Sequence, residues 1–370
     1  MQITAAVARA PNAPFSLESL DLAEPREDEI LVRVVAAGVC HTDIAMRDGV
    51  YPVPLPIVLG HEGAGVVERV GRAITKVAVG DHVAMSYHSC GQCACCREHA
   101  PNYCEQAFAL NFSGARPDGS SALSQDGRSV HGHFFGQSSF ATHALCHERN
   151  VVKVRKDMPL ELLGPLGCGL MTGAGSVINN MKIAPGRSLA VFGVGAVGMA
   201  AVMAARLVGA GRIIAVDLTP SRLDLAEELG ASDAVDATRG SVVETILSLS
   251  QGGVDFAFDT TGAPVVLRQA VESLARRGTC VTVGASKPGV EVSLDMAQLM
   301  TGGRQLRGVI EGDAVPDVFI PQLIEFHRQG RFPFDRLIRF YPFDRINAAV
   351  ADSLSGRTIK PVLLMSTNAN

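Results

Sequence analysis

Tryptophan is absent from this chain of 370 residues, and tyrosine occurs only four times. So few aromatics offer no stacking platform for single-stranded nucleic acid. An excess of one charge is also missing, since 33 basic and 37 acidic side chains leave a net of -4. Neither nucleic acid nor an anionic membrane surface is an expected partner for so balanced a chain. The opening residues, MQITAAVARAPNAPF, lack the basic start and apolar run of a secretory leader. The nine cysteines are therefore expected to stay reduced, in a cytoplasmic protein, and free to bind metal. Long apolar runs are scarce too. The uncharged stretch 189–205 is seventeen residues long, carries three glycines and is bracketed by Arg187 and Arg206. A bilayer span needs about 20 apolar residues, so the stretch reads as buried strand, tight turn and helix, and no membrane is expected.

The texture of the chain changes along its length. Within the first 150 residues, ILVRVVAAGV (30–39) and GAGVVERVG (63–71) are β-branched runs punctuated by glycine. The three prolines of YPVPLP (51–56) exclude helix there. Residues 111–139, rich in Gly, Ser and Asn, read as irregular loops. Beyond about residue 165, strands alternate with helices: SLAVFG (188–193), a helix from AVGMAAVMAARLVG, IIAVD (213–217), the amphipathic PSRLDLAEELG (220–230), VDFAFDTTG (254–262) and TCVTVGA (279–285). That alternation predicts an α/β fold with a doubly wound parallel sheet. The tail from 309 onward is expected to pack back on the first domain.

Two cysteine groups carry chemistry. Cys90, Cys93, Cys96 and Cys104 follow the spacing C-x2-C-x2-C-x7-C. Short loops can aim three thiolates at one point while a fourth closes a tetrahedron, the shell Zn²⁺ accepts. A closed shell leaves no open position, so that zinc would be structural; Cys95 is a bystander. The second group is dispersed: Cys40-His41-Thr42-Asp43, Gly60-His61-Glu62 and Gly167-Cys168-Gly169. Alone, each is weak, because a buried Cys is usually a small hydrophobe. Together they offer two thiolates and an imidazole, a set similar to the catalytic zinc of alcohol dehydrogenases, with one position left for water or substrate. Such an ion would favour the ionised form of an alcohol oxygen near neutral pH. Asp43 is placed to orient His61, Glu62 to act beside the metal or as an occasional ligand, and Thr42 to pass a proton onward.

Gly193, Gly195 and Gly198 form a G-x-G-x-x-G between a predicted strand and a predicted helix. The glycines allow a tight turn and close approach of backbone to pyrophosphate, and the helix start offers free N–H donors. Asp217 ends the next strand, where an acid accepts from ribose hydroxyls and repels a 2′-phosphate, favouring NAD. Arg222 could reach the same ribose.

On these residues, and on GHEGAG (60–65), GCGLMTGAG (167–175) and GVGAVG (193–198), the chain resembles the zinc-containing medium-chain dehydrogenase family over nearly its full length. The resemblance implies a GroES-like catalytic domain (1–165 with 309–370) split around a Rossmann NAD-binding domain (166–308). It implies two Zn²⁺ per chain, one held by Cys40, His61 and Cys168, the other by Cys90, Cys93, Cys96 and Cys104. It places Thr42 at the substrate oxygen, His41 and Lys360 near the pyrophosphate, Thr172 near the nicotinamide and Arg222 at the adenosine ribose. Where many relatives carry a proton-relay histidine, this chain has Ala45. Stretches such as GVCHTDIAMRDG (38–49), FFGQSSFATHA (134–144) and IEGDA (310–314) look most like benzyl (aryl) alcohol and geraniol dehydrogenases. They imply a small-molecule substrate, a primary aromatic or allylic alcohol oxidised reversibly to its aldehyde, and a homo-oligomer, dimer or tetramer. The alternatives are a zinc dehydrogenase for secondary alcohols, polyols or S-hydroxymethylglutathione, and a non-catalytic NAD or redox sensor on the same fold.

Overall fold

Continuous β-branched runs become interior strands. All but the last residue of the run at 30–39 lies in the strand Glu29–Gly38, and all but the last of that at 63–71 in Glu62–Val70, both mostly buried. A computed structural model describes Met1–Met365, and residues 366–370 lie outside the described part. The chain divides into two units. One comprises Met1–Cys168, Val315–Pro321 and the chain from Asp335 onward; the other comprises Gly169–Ala314 and Gln322–Phe334.

In the first unit a seven-stranded sheet runs Val151–Val154, His82–Met85, Glu62–Val70, Glu29–Gly38, Lys360–Leu364 and Ile338–Pro342, with His143–His147 also on Glu29–Gly38. Register decides the site. Gly38 lies opposite Glu62 on one side and Val362 on the other, so the strands carrying Glu62 and Lys360 flank one strand. Helix α1 (His41–Arg47) starts directly after that central strand, with Cys40 at its N-cap. Asp43, in the first turn, reaches back to accept the Cys40 N–H at 3.0 Å.

A five-stranded sheet in the same unit includes a hairpin, Leu123–Gln125 with Arg128–Val130. The reading of 111–139 as wholly irregular therefore needs correction, since this hairpin and the short helical turn Phe134–Gly136 lie within it. The overlooked signal is Asp126-Gly127, whose φ values of +50° and +74° suit a tight two-residue turn. The flanking strands are too polar to show an apolar alternation.

The second unit begins with helix α2 (Gly169–Gly175). Its sheet has strands β1 (Ser188–Phe192), β2 (Arg212–Asp217), β3 (Asp233–Asp236), β4 (Val254–Asp259), β5 (Leu274–Thr282) and β6 (Gln305–Gly308). All pair in parallel, in the order β3-β2-β1-β4-β5-β6, the doubly wound arrangement of dinucleotide-binding domains. Helix α3 (Ala196–Leu207) follows β1. Ala190, Phe192, Ile214, Val216, Val254, Ala257 and Cys280 pack into one apolar core with residues of the flanking helices.

The tail does not join the first unit as one block from 309. Val309 extends the second sheet, its N–H bonding Thr282 O at 3.0 Å. The boundary then falls inside the helix Pro316–Arg328, between Pro321 and Gln322. Among the described residues no helix is long and apolar enough to cross a membrane.

Candidate active site

Cys40, His61, Glu62 and Cys168 bring one ligand atom each to within 4.8 Å of the others. Loop, strand and helix position them separately: Cys40 caps α1, His61 immediately precedes the strand Glu62–Val70, and Cys168 ends the turn Gly164–Gly167. Asp43, 1 % exposed, ties two of them together. One of its oxygens lies 2.8 Å from His61 Nδ1 and accepts the Gly60 N–H at 3.1 Å; the other accepts from Cys40 N–H. The bond at Nδ1 fixes the ring and turns Nε2 toward the cluster.

His61 Nε2 is buried and has no hydrogen-bond partner among the described residues. Buried polar atoms are rarely left so, and an imidazole nitrogen facing two sulfurs is satisfied by a soft or borderline cation. The donor set therefore fits Zn²⁺. Its electrostatics agree. Cys40 is held well below its ordinary value, first by a hydrogen bond with Cys168 and against its burial, with the charges of His61 and Lys360 adding to the effect. Burial opposes charge on His61, but Asp43 and Cys40 outweigh it and hold the ring well above its ordinary value.

Glu62 is placed differently. Both its oxygens accept from Lys360 Nζ at 2.9 Å, and the ammonium also donates to Val39 O at 3.3 Å. Lys360 is 2 % exposed, buried against the metal-ligand cluster. Burial pushes the Glu62 carboxyl up to about 7 despite that cation. Burial disfavours the Lys360 charge in turn, but Glu62 and the cysteine sulfurs hold it above its ordinary value. Glu62 is thus engaged by Lys360, while Cys40, His61 and Cys168 bring two sulfurs and an imidazole nitrogen together beside it. Thr42 Oγ1 lies 3.8 Å from Cys40 Sγ, and His41 is exposed at the start of α1.

Sequence reasoning missed two supports of His61. Gln137 Nε2 donates to His61 O at 2.9 Å while its Oε1 accepts the Gly63 N–H at 3.1 Å, bracing the backbone on both sides of Glu62. Phe135 stacks on the imidazole, with centroids 4.5 Å apart and planes 25° from parallel, although its φ of +51° is left-handed. Phe134 and Phe140 are wholly buried core residues. A glutamine in a polar loop carries no local signal, and neither contact is short-range. His133 is half-buried, its enclosed Nε2 has no partner among the described residues, and burial pushes it down to about 4.

The second cysteine group also assembles, the four ligand atoms of Cys90, Cys93, Cys96 and Cys104 lying within 4.8 Å of one another. Backbone N–H groups of Gln92 and Cys93 point at Cys90 Sγ at 3.4 and 3.3 Å, and that of Cys90 at Cys104 Sγ at 3.3 Å. Donors aimed at sulfur favour thiolate. Cys93 is pulled down to about 6, chiefly by backbone N–H groups. Cys146 and Cys280 are buried, and burial raises both thiols.

In the second unit the glycine turn joins β1 to α3. Gly193 takes φ +84°, and a Cβ on Gly198 would sit 2.1 Å from Gly193 O, so both positions demand glycine. Asp217 ends β2 with one oxygen accepting the Val194 N–H at 2.9 Å and the other the Thr219 N–H at 3.0 Å. Arg222 Nη1 is 3.8 Å from Asp217, and its Nε is buried without a partner among the described residues. Thr172, on α2, donates to Glu311 Oε2 at 3.2 Å.

A parallel nucleotide-binding sheet and a two-thiolate, one-imidazole cluster define a zinc-dependent dehydrogenase. The family models agree: the alcohol dehydrogenase GroES-like domain matches residues 26–156 and the zinc-binding dehydrogenase domain residues 196–327, so the chain belongs to the zinc-containing alcohol dehydrogenase family. It is 48% identical over 362 residues to a geraniol dehydrogenase of Castellaniella defragrans, 97% of each chain being covered. Its fold superposes on an alcohol dehydrogenase zinc-binding domain protein from Burkholderia ambifaria with a TM-score of 0.98 and 56% identity, over 99% of both chains. It superposes on benzyl alcohol dehydrogenase from Acinetobacter calcoaceticus with a TM-score of 0.97 and 48% identity, over 99% of this chain and 100% of that one.

Proposed function

We propose that the protein is an NAD-linked oxidoreductase interconverting primary aromatic or allylic alcohols, of benzyl, cinnamyl or geraniol type, with their aldehydes. The single observation that carries the chemistry is the unpartnered His61 Nε2 beside Cys40 and Cys168. The substrate class is supported by the geraniol and benzyl alcohol dehydrogenases, each 48% identical across nearly the whole chain.

In this reading Cys40, His61 and Cys168 hold the reactive zinc, and Cys90, Cys93, Cys96 and Cys104 a structural one. The glycine turn and Asp217 hold NAD. When bound, the ion supplies Lewis-acid chemistry to an alcohol oxygen and the dinucleotide supplies a hydride acceptor. Asp43 keeps the His61 ring turned so that Nε2 stays a ligand. Lys360 keeps Glu62 from closing the fourth position. The Thr42 hydroxyl would take the alcohol proton while giving up its own, and since Ala45 offers no onward acceptor that proton would pass to His41 or water. The nine free cysteines suit a reducing, cytoplasmic setting, and the active form is a homo-oligomer.

A panel of alcohols assayed by NAD reduction tests this. Cinnamyl, benzyl or geranyl alcohol is expected to give the highest kcat/KM. Preference for secondary alcohols, polyols or S-hydroxymethylglutathione would overturn the substrate class. Zinc and NAD binding without turnover of any alcohol would favour a sensor.

A further inference from the structure

Three consecutive residues beyond the end of β6, Glu311, Gly312 and Asp313, take left-handed backbone, with φ of +52°, +65° and +48°. Glycine adopts this freely, but for Glu and Asp it is strained, and strain of this kind persists where surrounding structure enforces it. Here the enforcement is visible. The turn lies flat on α2: a Cβ on Gly175 would be 2.4 Å from Gly312 O, and one on Gly312 would be 2.7 Å from Met171 O. Three side chains then fasten it. Thr172 Oγ1 donates to Glu311 Oε2 at 3.2 Å, Asn179 Nδ2 to Gly312 O at 3.3 Å, and Asn180 Nδ2 to Asp313 Oδ2 at 2.7 Å.

The place of the turn is as informative as its strain. It follows the carboxyl end of β6, on the sheet edge that also carries the glycine turn after β1 and Asp217 at the end of β2. In doubly wound sheets that edge receives the ligand. Helix α2 is in turn pressed on α3, which starts at the glycine turn: a Cβ on Gly173 would be 2.0 Å from Val197 O. Glycine turn, α3, α2 and the strained turn thus form one continuous backbone-to-backbone stack.

We propose that Glu311 is a positioning residue for the dinucleotide. Its carboxylate fixes the Thr172 hydroxyl, and its left-handed backbone holds the end of the stack where the nicotinamide half is received. The inference rests on the NAD reading above.

The test is NADH binding by fluorescence titration of zinc-replete protein, alongside the urea midpoint. E311G relieves the backbone strain and removes the carboxylate. It is expected to keep or raise the midpoint while weakening NADH about tenfold, the worth of one charge-assisted contact. E311N, which tolerates left-handed backbone but is too short to reach Thr172, should weaken it similarly. E311Q keeps an acceptor oxygen and should restore affinity to within about threefold. T172V should weaken binding as E311G does, and the double variant no further. In steady state the loss should fall on KM for NAD more than on kcat. Wild-type affinity in folded E311G and E311N would overturn the proposal, whereas failure of the wild type to bind NADH at all would overturn the NAD reading itself and this inference with it.

Discussion

The Lys360 ammonium lies 2.9 Å from both oxygens of Glu62, a residue 298 positions away, and both side chains are sealed from solvent. A charge buried in this way is tolerable only with its partner present. Lys360→Met is therefore expected to destabilise the protein by about 3–5 kcal/mol, because the buried Glu62 loses its ammonium partner. Adding Glu62→Gln should recover most of that loss. Urea unfolding of the single and double variants checks this, and an additive double variant would show that the two residues do not act as a pair.

Asp43 accepts from Cys40 and Gly60 and holds the His61 ring, so it shapes two ligands at once. Asp43→Asn puts an N–H where an acceptor is required. Affinity for the zinc at this cluster should drop about 10–100-fold, as with other outer partners of metal-bound histidine. Competition with a chromogenic chelator reads the change, and the four-cysteine site should keep its ion. Equal weakening of both sites would point instead to general unfolding.

Acid should charge the half-buried His133. Its folded value is about 4, against an ordinary 6.5, so between these values the unfolded chain binds the extra proton. Its contribution is complete above pH 6.5 and is lost as pH falls toward 4. The difference amounts to roughly 3 kcal/mol. His133→Asn suits the left-handed φ of +58° and should flatten the fall in urea midpoint between pH 7 and pH 5. Zinc content measured in parallel separates this slope from metal loss. An unchanged slope would contradict the assignment.

In the proposed reading Asp217 sets the nucleotide preference. With both oxygens already accepting backbone N–H groups, its spare lone pairs are available to ribose hydroxyls. Asp217→Ser should weaken NADH about 10–100-fold and narrow the gap to NADPH. Calorimetric titration with both nucleotides decides it; unaltered discrimination would move the preference elsewhere.

What could be read in advance was local. β1, β2 and β4 of the parallel sheet are buried apolar runs, so their sequence announces them. The glycine turn and the four-cysteine lobe are each encoded within a few consecutive residues. The Asp126-Gly127 hairpin was local too, but its strands are short and polar. The contacts that tune the site are not local. Lys360 reaches Glu62 only through the register of three strands, Gln137 clamps His61 across 76 residues, and Thr172 meets Glu311 across 139. Such pairings leave no mark in spacing or periodicity. Strain in Phe135 and Glu311 is equally invisible in a sequence, because nothing in the residue type requires a left-handed backbone.

The most direct measurement compares metal content, NADH binding and benzyl alcohol turnover in the wild type and in Cys168→Ser. The account predicts two zinc ions per wild-type chain and one in the variant, with NADH still bound and turnover reduced by at least about 10³-fold, the scale of losing the activating ion. A variant that holds a single zinc yet oxidises the alcohol at the wild-type rate would contradict it.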